Sequence, residues 1–234
     1  MGQPRLSLII PIYNEADLLP EVLRRVRAMP WPNKELVLVD DCSQDGTQEI
    51  LEREKGRPDT IVLRHDRNQG KGAAIRTGLQ HFTGDIAIIQ DADLEYDPAE
   101  IPLVIAPIVR GDSDVAYGSR FLGEVKQMRL PNRVANWILA WLVTLLYGQR
   151  ITDEATAYKA FRREVIRSIP LECQRFEFCP EVTAKVLKRG YRIIEIPVTF
   201  TARTFEEGKK IGWRDFITAV WVLLKVRFQR ETAY

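Results

Sequence analysis

Residues 86–89 are an apolar run with no polar alternation, the pattern of a strand buried on both faces of a parallel sheet, and 6–12, apolar but for Ser7, read as a first buried strand. Residues 35–39, 60–63 and 114–117 read as further strands. The stretches between them carry helical spacing, as in Leu18, Leu19, Val22, Leu23 and Val26, which end before Pro30-Trp31-Pro32. Helices are expected near 47–51, over 73–82 and over 98–109. A chain that alternates strand and helix for about 120 residues implies right-handed crossovers and an α/β fold with a mostly parallel sheet flanked by helices.

The expected strand ends are acidic. The first runs into Pro11-Ile12-Tyr13-Asn14-Glu15, the second into Asp40-Asp41, and the run 86–89 into Gln90-Asp91-Ala92-Asp93-Leu94-Glu95. Ligands of open α/β sheets gather at the C-terminal ends of the strands. On an extended segment Asp91 and Asp93 would point the same way, with Glu95 next in phase. Carboxylates crowded at one sheet edge repel unless a cation or donor groups neutralise them, and oxygen ligands without His or Cys suit Mg²⁺ or Mn²⁺. Alone, an Asp-x-Asp is equally compatible with a solvated acidic turn. Arg67-Asn68-Gln69-Gly70-Lys71-Gly72 leads into the helix at 73–82; its glycines and Lys71 would let a backbone approach an anion, although the segment matches neither phosphate-loop signature.

Composition narrows the alternatives. The 234 residues are 45% apolar and 28% charged with a net charge of +2, ordinary for a soluble globular protein and no pointer to nucleic acid. Cys42, Cys173 and Cys179 form no CxxC and give an odd count, which argues for a reducing, cytoplasmic setting. No apolar run reaches the 18 or so residues needed to cross a bilayer. Residues 137–147 and 216–224 come nearest, and each suits a core helix or a helix lying on a membrane. The second half is less regular: a helix over about 132–147, a polar turn with Thr152, Asp153, Glu154 and Thr156, a strand-like 157–161, a helix near 180–188, a strand over 192–200, a basic segment 203–214 and a final helix.

Together, Pro11-Ile12-Tyr13-Asn14-Glu15, Val39-Asp40-Asp41-Cys42-Ser43-Gln44-Asp45-Gly46-Thr47, Asn68-Gln69-Gly70-Lys71-Gly72, Gln90-Asp91-Ala92-Asp93-Leu94-Glu95 and Gly118-Ser119-Arg120 resemble the family 2 glycosyltransferases of the GT-A fold. Within these, the chain most resembles the enzymes that load mannose or glucose onto dolichyl or polyprenyl phosphate. The resemblance covers residues 6–228 and implies one catalytic domain over 1–234: a nucleotide-sugar half to about residue 120 and an acceptor-binding, membrane-docking half after it. It assigns Pro11, Tyr13, Glu15, Asp40, Asp41, Lys71, Asp91 and Ala92 to the nucleotide sugar. It assigns Asp91, Asp93 and Glu95 to Mg²⁺ or Mn²⁺; Ser119, Arg120, Arg133, Arg203 and Lys209 to the acceptor phosphate; and Asp91, Asp93, Arg120 and Arg203 to catalysis. Two departures bear on specificity: Cys179, where an acid is usual, and Phe216, where glycine is usual.

The acceptor decides the chemistry. A sugar hydroxyl needs a general base, for which Asp153 or Glu154 is the available candidate. A phosphate monoester, with a second pKa near 6, is already largely anionic at pH 7 and needs cations rather than a base. Arg203, Lys209, Lys210 and Arg214, interleaved with Phe205, Ile211 and Trp213, read alone as a solvated basic face. Beside the resemblance they fit an anionic membrane surface, with 137–147, the last helix, or both docking the protein peripherally at the cytoplasmic face. The alternatives are a same-fold transferase with a saccharide or protein acceptor, and a nucleotide-sugar-binding module without turnover.

Overall fold

A computed structural model of the chain describes residues 2–202 and 212–229. Its centre is a seven-stranded sheet in the order β3-β2-β1-β4-β7-β5-β8. The strands are β1 (Leu6–Ile12), β2 (Lys34–Asp40), β3 (Thr60–Arg64), β4 (Ile86–Ile89), β5 (Val115–Ser119), β7 (Lys159–Arg162) and β8 (Ile193–Pro197). All pairings are parallel except those of β7, which runs antiparallel to both β4 and β5. The expected α/β class, a mostly parallel sheet with helices on both faces, is the observed one. The antiparallel strand lies outside the strand–helix alternation: β7 follows α5 (Leu130–Tyr147) through a polar turn and enters the sheet from the opposite end.

The apolar runs lack alternation because both faces are covered. Ile9, Val37, Val39, Ala87 and Ile89 enter one cluster with α3 (Lys71–His81), α5, α7 (Phe178–Lys188) and α8 (Trp213–Phe228). Leu8, Ile10, Leu36, Leu38, Ile86 and Ile88 enter the other with α1 (Leu19–Ala28), α2 (Thr47–Glu54) and α4 (Ile101–Arg110). α3 lies close on the sheet because Gly78 faces it; a Cβ there would come 2.5 Å from Ile9 Cγ2.

Several boundaries differ from expectation for local reasons. The helix expected over 98–109 opens with a 3-10 turn, Pro98–Glu100, capped by the Asp97 carboxylate on the Ala99 N–H at 3.0 Å. The segment expected as one strand over 192–200 breaks after Pro197, and Phe200–Thr201 (β9) instead pairs in parallel with β6 (Val125–Lys126). The short helix α6 (Arg163–Ser168) and β6 carried no clear sequence signal. Phe216, where glycine was expected, is half-buried on α8 and packs against the core cluster. Arg203, Lys209, Lys210 and the rest of 203–211 lie outside the described residues.

The two segments that suited either a core or a surface helix are both at once. α5 buries Leu139, Ala140 and Val143 and exposes Leu130, Val134, Trp137, Trp141 and Leu145. α8 buries Ala219, Val222, Leu223 and Val226 and exposes Trp213, Ile217, Trp221, Leu224 and Phe228. Each exposed set recurs at three- and four-residue steps, so each is one helix face. The helices pack together, and the Tyr147 hydroxyl donates to the Leu223 carbonyl at 2.7 Å. Among the described residues no helix is long and apolar enough to cross a membrane.

Candidate active site

The parallel register gathers three strand ends. β1 lies between β2 and β4, with Ile9 opposite both Val37 and Ile89, and Ile12 opposite Asp40. The loops after β1 and β2 are stitched to each other: Asn14 N–H donates to Ser43 Oγ at 2.9 Å, Glu15 N–H to Thr47 Oγ1 at 3.1 Å and Ala16 N–H to Asp45 Oδ2 at 3.0 Å. Pro11 is enclosed within β1 opposite Val39, while Tyr13 and Glu15 are half-buried on the loop. The buried Asp40 accepts the Ser43 N–H on Oδ1 at 2.9 Å, and its Oδ2 has no aligned donor beyond Arg64 Nε at 3.5 Å.

Asp41 behaves differently from its neighbour. Its carboxylate turns inward, where it accepts Gln69 N–H at 2.8 Å, Gly70 N–H at 2.7 Å and the His65 ring at 2.7 Å. His65 in turn meets Thr77 Oγ1 on α3 at 2.8 Å. Asp41, expected among the nucleotide-sugar residues, uses its oxygens here to fix the loop that carries Lys71. That loop is also pressed onto another backbone. Gly70 sits at φ 97°, and a Cβ on Gly70 or Gly72 would come 2.5 Å from the Gln174 carbonyl or 2.7 Å from the Arg175 carbonyl.

The fixed loop aims Lys71 at the acidic motif. Lys71 Nζ lies 2.6 Å from Asp91 Oδ1, an enclosed oxygen that no donor meets in hydrogen-bond alignment. Burial would lower the Lys71 pKa, but Asp91, with Cys179 and Asp93, outweighs it and raises the pKa, so the ammonium stays charged. Asp91, Ala92 and Asp93 are themselves buried. The motif is not extended: the chain bends from Ala92 to Glu95, and Asp93 Oδ1 accepts the Glu95 N–H at 3.1 Å. The phase argument that aligned Glu95 with Asp91 and Asp93 fails for that reason. Among the described residues no three His, Cys, Asp or Glu side chains are gathered closely enough to hold a metal ion, so Glu95 joins no preformed triad. The fit to a hard cation rests on Asp91 and Asp93: two carboxylates, one with an oxygen lacking an aligned donor, already facing an ammonium. Mg²⁺ and Mn²⁺ commonly take one or two protein carboxylates and fill the remaining positions with phosphate oxygens and water.

Aromatic rings tie this motif to the second half. Tyr158 donates to Gln90 Oε1 at 2.8 Å and stacks on Tyr96 with ring centroids 4.5 Å apart, and Thr201 N–H donates to the Glu95 carbonyl at 2.9 Å. Beside them, Ser119 Oγ lies 2.6 Å from Thr152 Oγ1. Arg120 is turned inward: Nε and Nη2 each meet an Asp153 oxygen at 2.7 Å, its N–H adds a third bond at 2.9 Å, and Nη2 also reaches Asn136 at 3.0 Å. Arg120, expected at the acceptor phosphate, is a buried guanidinium paired with Asp153. Arg133 is exposed, in a shallow groove with Phe121, Val134 and Trp137.

The two candidate bases are enclosed. Asp153 is 0% exposed and held by Arg120, and the Glu195 carboxylate accepts the N–H groups of Thr152 at 2.7 Å and Asp153 at 2.9 Å. Glu154 is also 0% exposed, and neither of its oxygens meets a donor in hydrogen-bond alignment. Burial pushes its pKa up to about 7, with Lys159 opposing the shift. Lys159 Nζ is occupied by the Glu154 carbonyl at 2.7 Å and Thr183 Oγ1 at 3.2 Å, over the Tyr117 ring. Burial pushes the Cys179 thiol up to about 11, so at neutral pH it is a protonated, weakly polar filler rather than the charged acid expected there. His65, Thr77, Tyr96, Asn136 and Glu195 escaped the sequence reading. Only His65, one of two histidines in the chain and placed just after a strand, carried a usable signal.

Residues 7–169 match the family model described as Glycosyl transferase family 2. The UDP-N-acetylglucosamine–dolichyl-phosphate N-acetylglucosaminyltransferase of Methanococcus voltae is 31% identical, with 92% of this chain and 95% of that protein covered. The dolichol-phosphate mannosyltransferase of Pyrococcus furiosus is 31% identical over 89% of this chain, which spans only 60% of that protein's length. Among solved structures, glucosyl-3-phosphoglycerate synthase from Mycobacterium tuberculosis, in complex with Mn²⁺, UDP-glucose and phosphoglyceric acid, superposes with a TM-score of 0.74 at 19% identity, covering 98% of this chain and 81% of that one. With the family match extending over more than half of its length and the GT-A fold around the acidic strand ends, the chain belongs to glycosyl transferase family 2.

Proposed function

We propose that this chain is an inverting glycosyltransferase that moves a hexose, mannose or glucose, from a nucleoside diphosphate to a polyprenyl phosphate at the cytoplasmic face of a membrane. The observation that carries the choice of acceptor is the enclosure of Asp153 and Glu154. Neither carboxylate is placed to take a proton from an incoming hydroxyl, and a phosphate acceptor requires no such step. The two dolichyl-phosphate relatives act on acceptors of this kind, which supports the same reading. A saccharide acceptor would need a base other than the two that the sequence offers.

Asp40 Oδ2, without an aligned donor, is suited to a nucleoside N–H or hydroxyl, with Tyr13 and Glu15 on the adjoining loop. Asp91 and Asp93 would hold Mg²⁺ or Mn²⁺, which supplies positive charge to the leaving diphosphate. Lys71 adds a fixed cation on the same side. Arg120, locked to Asp153, positions Ser119 and the polar turn, and Arg133 offers its charge at the groove mouth. Bringing two anions together is the main barrier, and these residues lower it by orientation and charge rather than by proton transfer. The apolar faces of α5 and α8, with Arg214 and Lys225 beside Trp213 and Trp221, suit a bilayer carrying anionic lipid.

A donor screen tests the reading: GDP-mannose, UDP-glucose and UDP-N-acetylglucosamine, each with Mn²⁺ or Mg²⁺ and a short polyprenyl phosphate, scored for lipid-linked sugar. A metal-dependent product with one donor supports it. Full activity in EDTA would remove the metal assignment, and absence of any lipid-linked product would remove the acceptor.

A further inference from the structure

Asp91 Oδ1 is enclosed and without an aligned donor, and Lys71 Nζ lies 2.6 Å from it. The approach is not that of a loose surface lysine. Asp41 holds Gln69 N–H and Gly70 N–H, Gly72 N–H donates to the Arg175 carbonyl at 2.9 Å, and Ala73 N–H donates to the Gln174 carbonyl at 2.9 Å. A backbone pinned on both sides of Lys71 limits where its ammonium can go. An ammonium and a divalent ion cannot both sit within bonding distance of one carboxylate oxygen without strong mutual repulsion.

We infer that Lys71 competes with the divalent cation for Asp91, so that the cation binds weakly alone and tightly only with a nucleoside diphosphate, whose phosphates give the ammonium another anion. This rests on the proposed metal–diphosphate reading of the site and deepens it: Lys71 couples metal entry to donor entry. By its charge, the same ammonium repels the metal alone and attracts the diphosphate alone. A lysine that merely supported the fold would move both affinities in the same direction.

The test is Mn²⁺ binding to the full chain, followed by the electron paramagnetic resonance of free Mn²⁺, with and without UDP or GDP. Lys71→Met is expected to bind Mn²⁺ alone about ten-fold more tightly than the unaltered protein, within the usual range of site–site coupling. It is also expected to bind UDP and GDP without metal more weakly, whereas Lys71→Arg keeps the original order. Lys71→Gln serves as a second neutral variant should Lys71→Met fold poorly, with circular dichroism as the control. Mn²⁺ binding no tighter in the neutral variants, or both affinities falling together, would overturn the inference. The reading beneath it is checked separately: Mn²⁺ bound with nucleotide and lost in Asp91→Asn keeps the metal site, whereas no Mn²⁺ bound by any protein with either nucleotide removes the site and the inference together.

Discussion

Two adjacent acids, Asp40 and Asp41, have opposite fates, and the difference lies in which backbone groups the fold brings to them. The sequence shows a carboxylate pair at a strand end; it does not show that the N–H groups of Gln69 and Gly70 will arrive at the second one. Asp91 and Asp93 were legible because a buried strand delivers them, but the bend that removes Glu95 from their line comes from a local N–H-to-carboxylate bond. Arg120 and Asp153 lie 33 residues apart in the sequence, and only the structure pairs them. Removing one member of a buried pair leaves the other charge uncompensated, so Asp153→Ala is expected to cost about 3–5 kcal/mol of stability, measured by urea unfolding. Glu154 gives a pH signature. Its pKa is raised from 4.5 to about 7, so between those values the folded state binds more protons than the unfolded one, and stability falls as pH rises through that window. Melting temperatures at pH 5, 6, 7 and 8 should show that slope in the unaltered protein and a flatter one in Glu154→Gln; parallel curves would contradict the assignment.

At the level of elements, strands and helices were readable from period because both faces of the sheet are covered, and the runs 6–12 and 86–89 became β1 and β4 with those same bounds. β6 and β9, of two residues each, have too few positions to show a period, and β7 has no clear orientation until its turn is seen. The N-terminus of α3 makes a close-packing prediction: a Cβ at Gly72 would meet the Arg175 carbonyl at 2.7 Å, and a backbone atom cannot rotate away. Gly72→Ala should destabilise by about 1–3 kcal/mol on urea unfolding, the usual cost of overpacking. The exposed faces of α5 and α8 make the opposite kind of prediction. Trp137 and Trp141 are 67% and 54% exposed, so their replacement by alanine should leave the melting temperature within a degree or two and sharply reduce flotation with anionic liposomes. Unchanged flotation of the double variant would contradict the docking role of α5.

Across the whole molecule, the division of labour follows the sheet. The β1, β2 and β4 ends supply acids and the start of α3 supplies one fixed lysine for a nucleotide sugar, while β5, the turn after α5 and β8 supply an enclosed polar network in which Asp153 and Glu154 are both buried. Alternation and acidic strand ends made the first half readable from sequence. The second half was not, because its character depends on long-range contacts such as Arg120 with Asp153 and Glu195 with the Thr152 and Asp153 N–H groups. An anionic acceptor needs no base to transfer the sugar. The most direct test offers the purified protein a short polyprenyl phosphate and the matching polyprenol, with the preferred donor and Mn²⁺, and follows initial rates from pH 5 to 9. Transfer to the phosphate alone, with a rate that rises near the phosphate's second pKa of about 6 and then levels, is the predicted result. Comparable transfer to the unphosphorylated alcohol would contradict it.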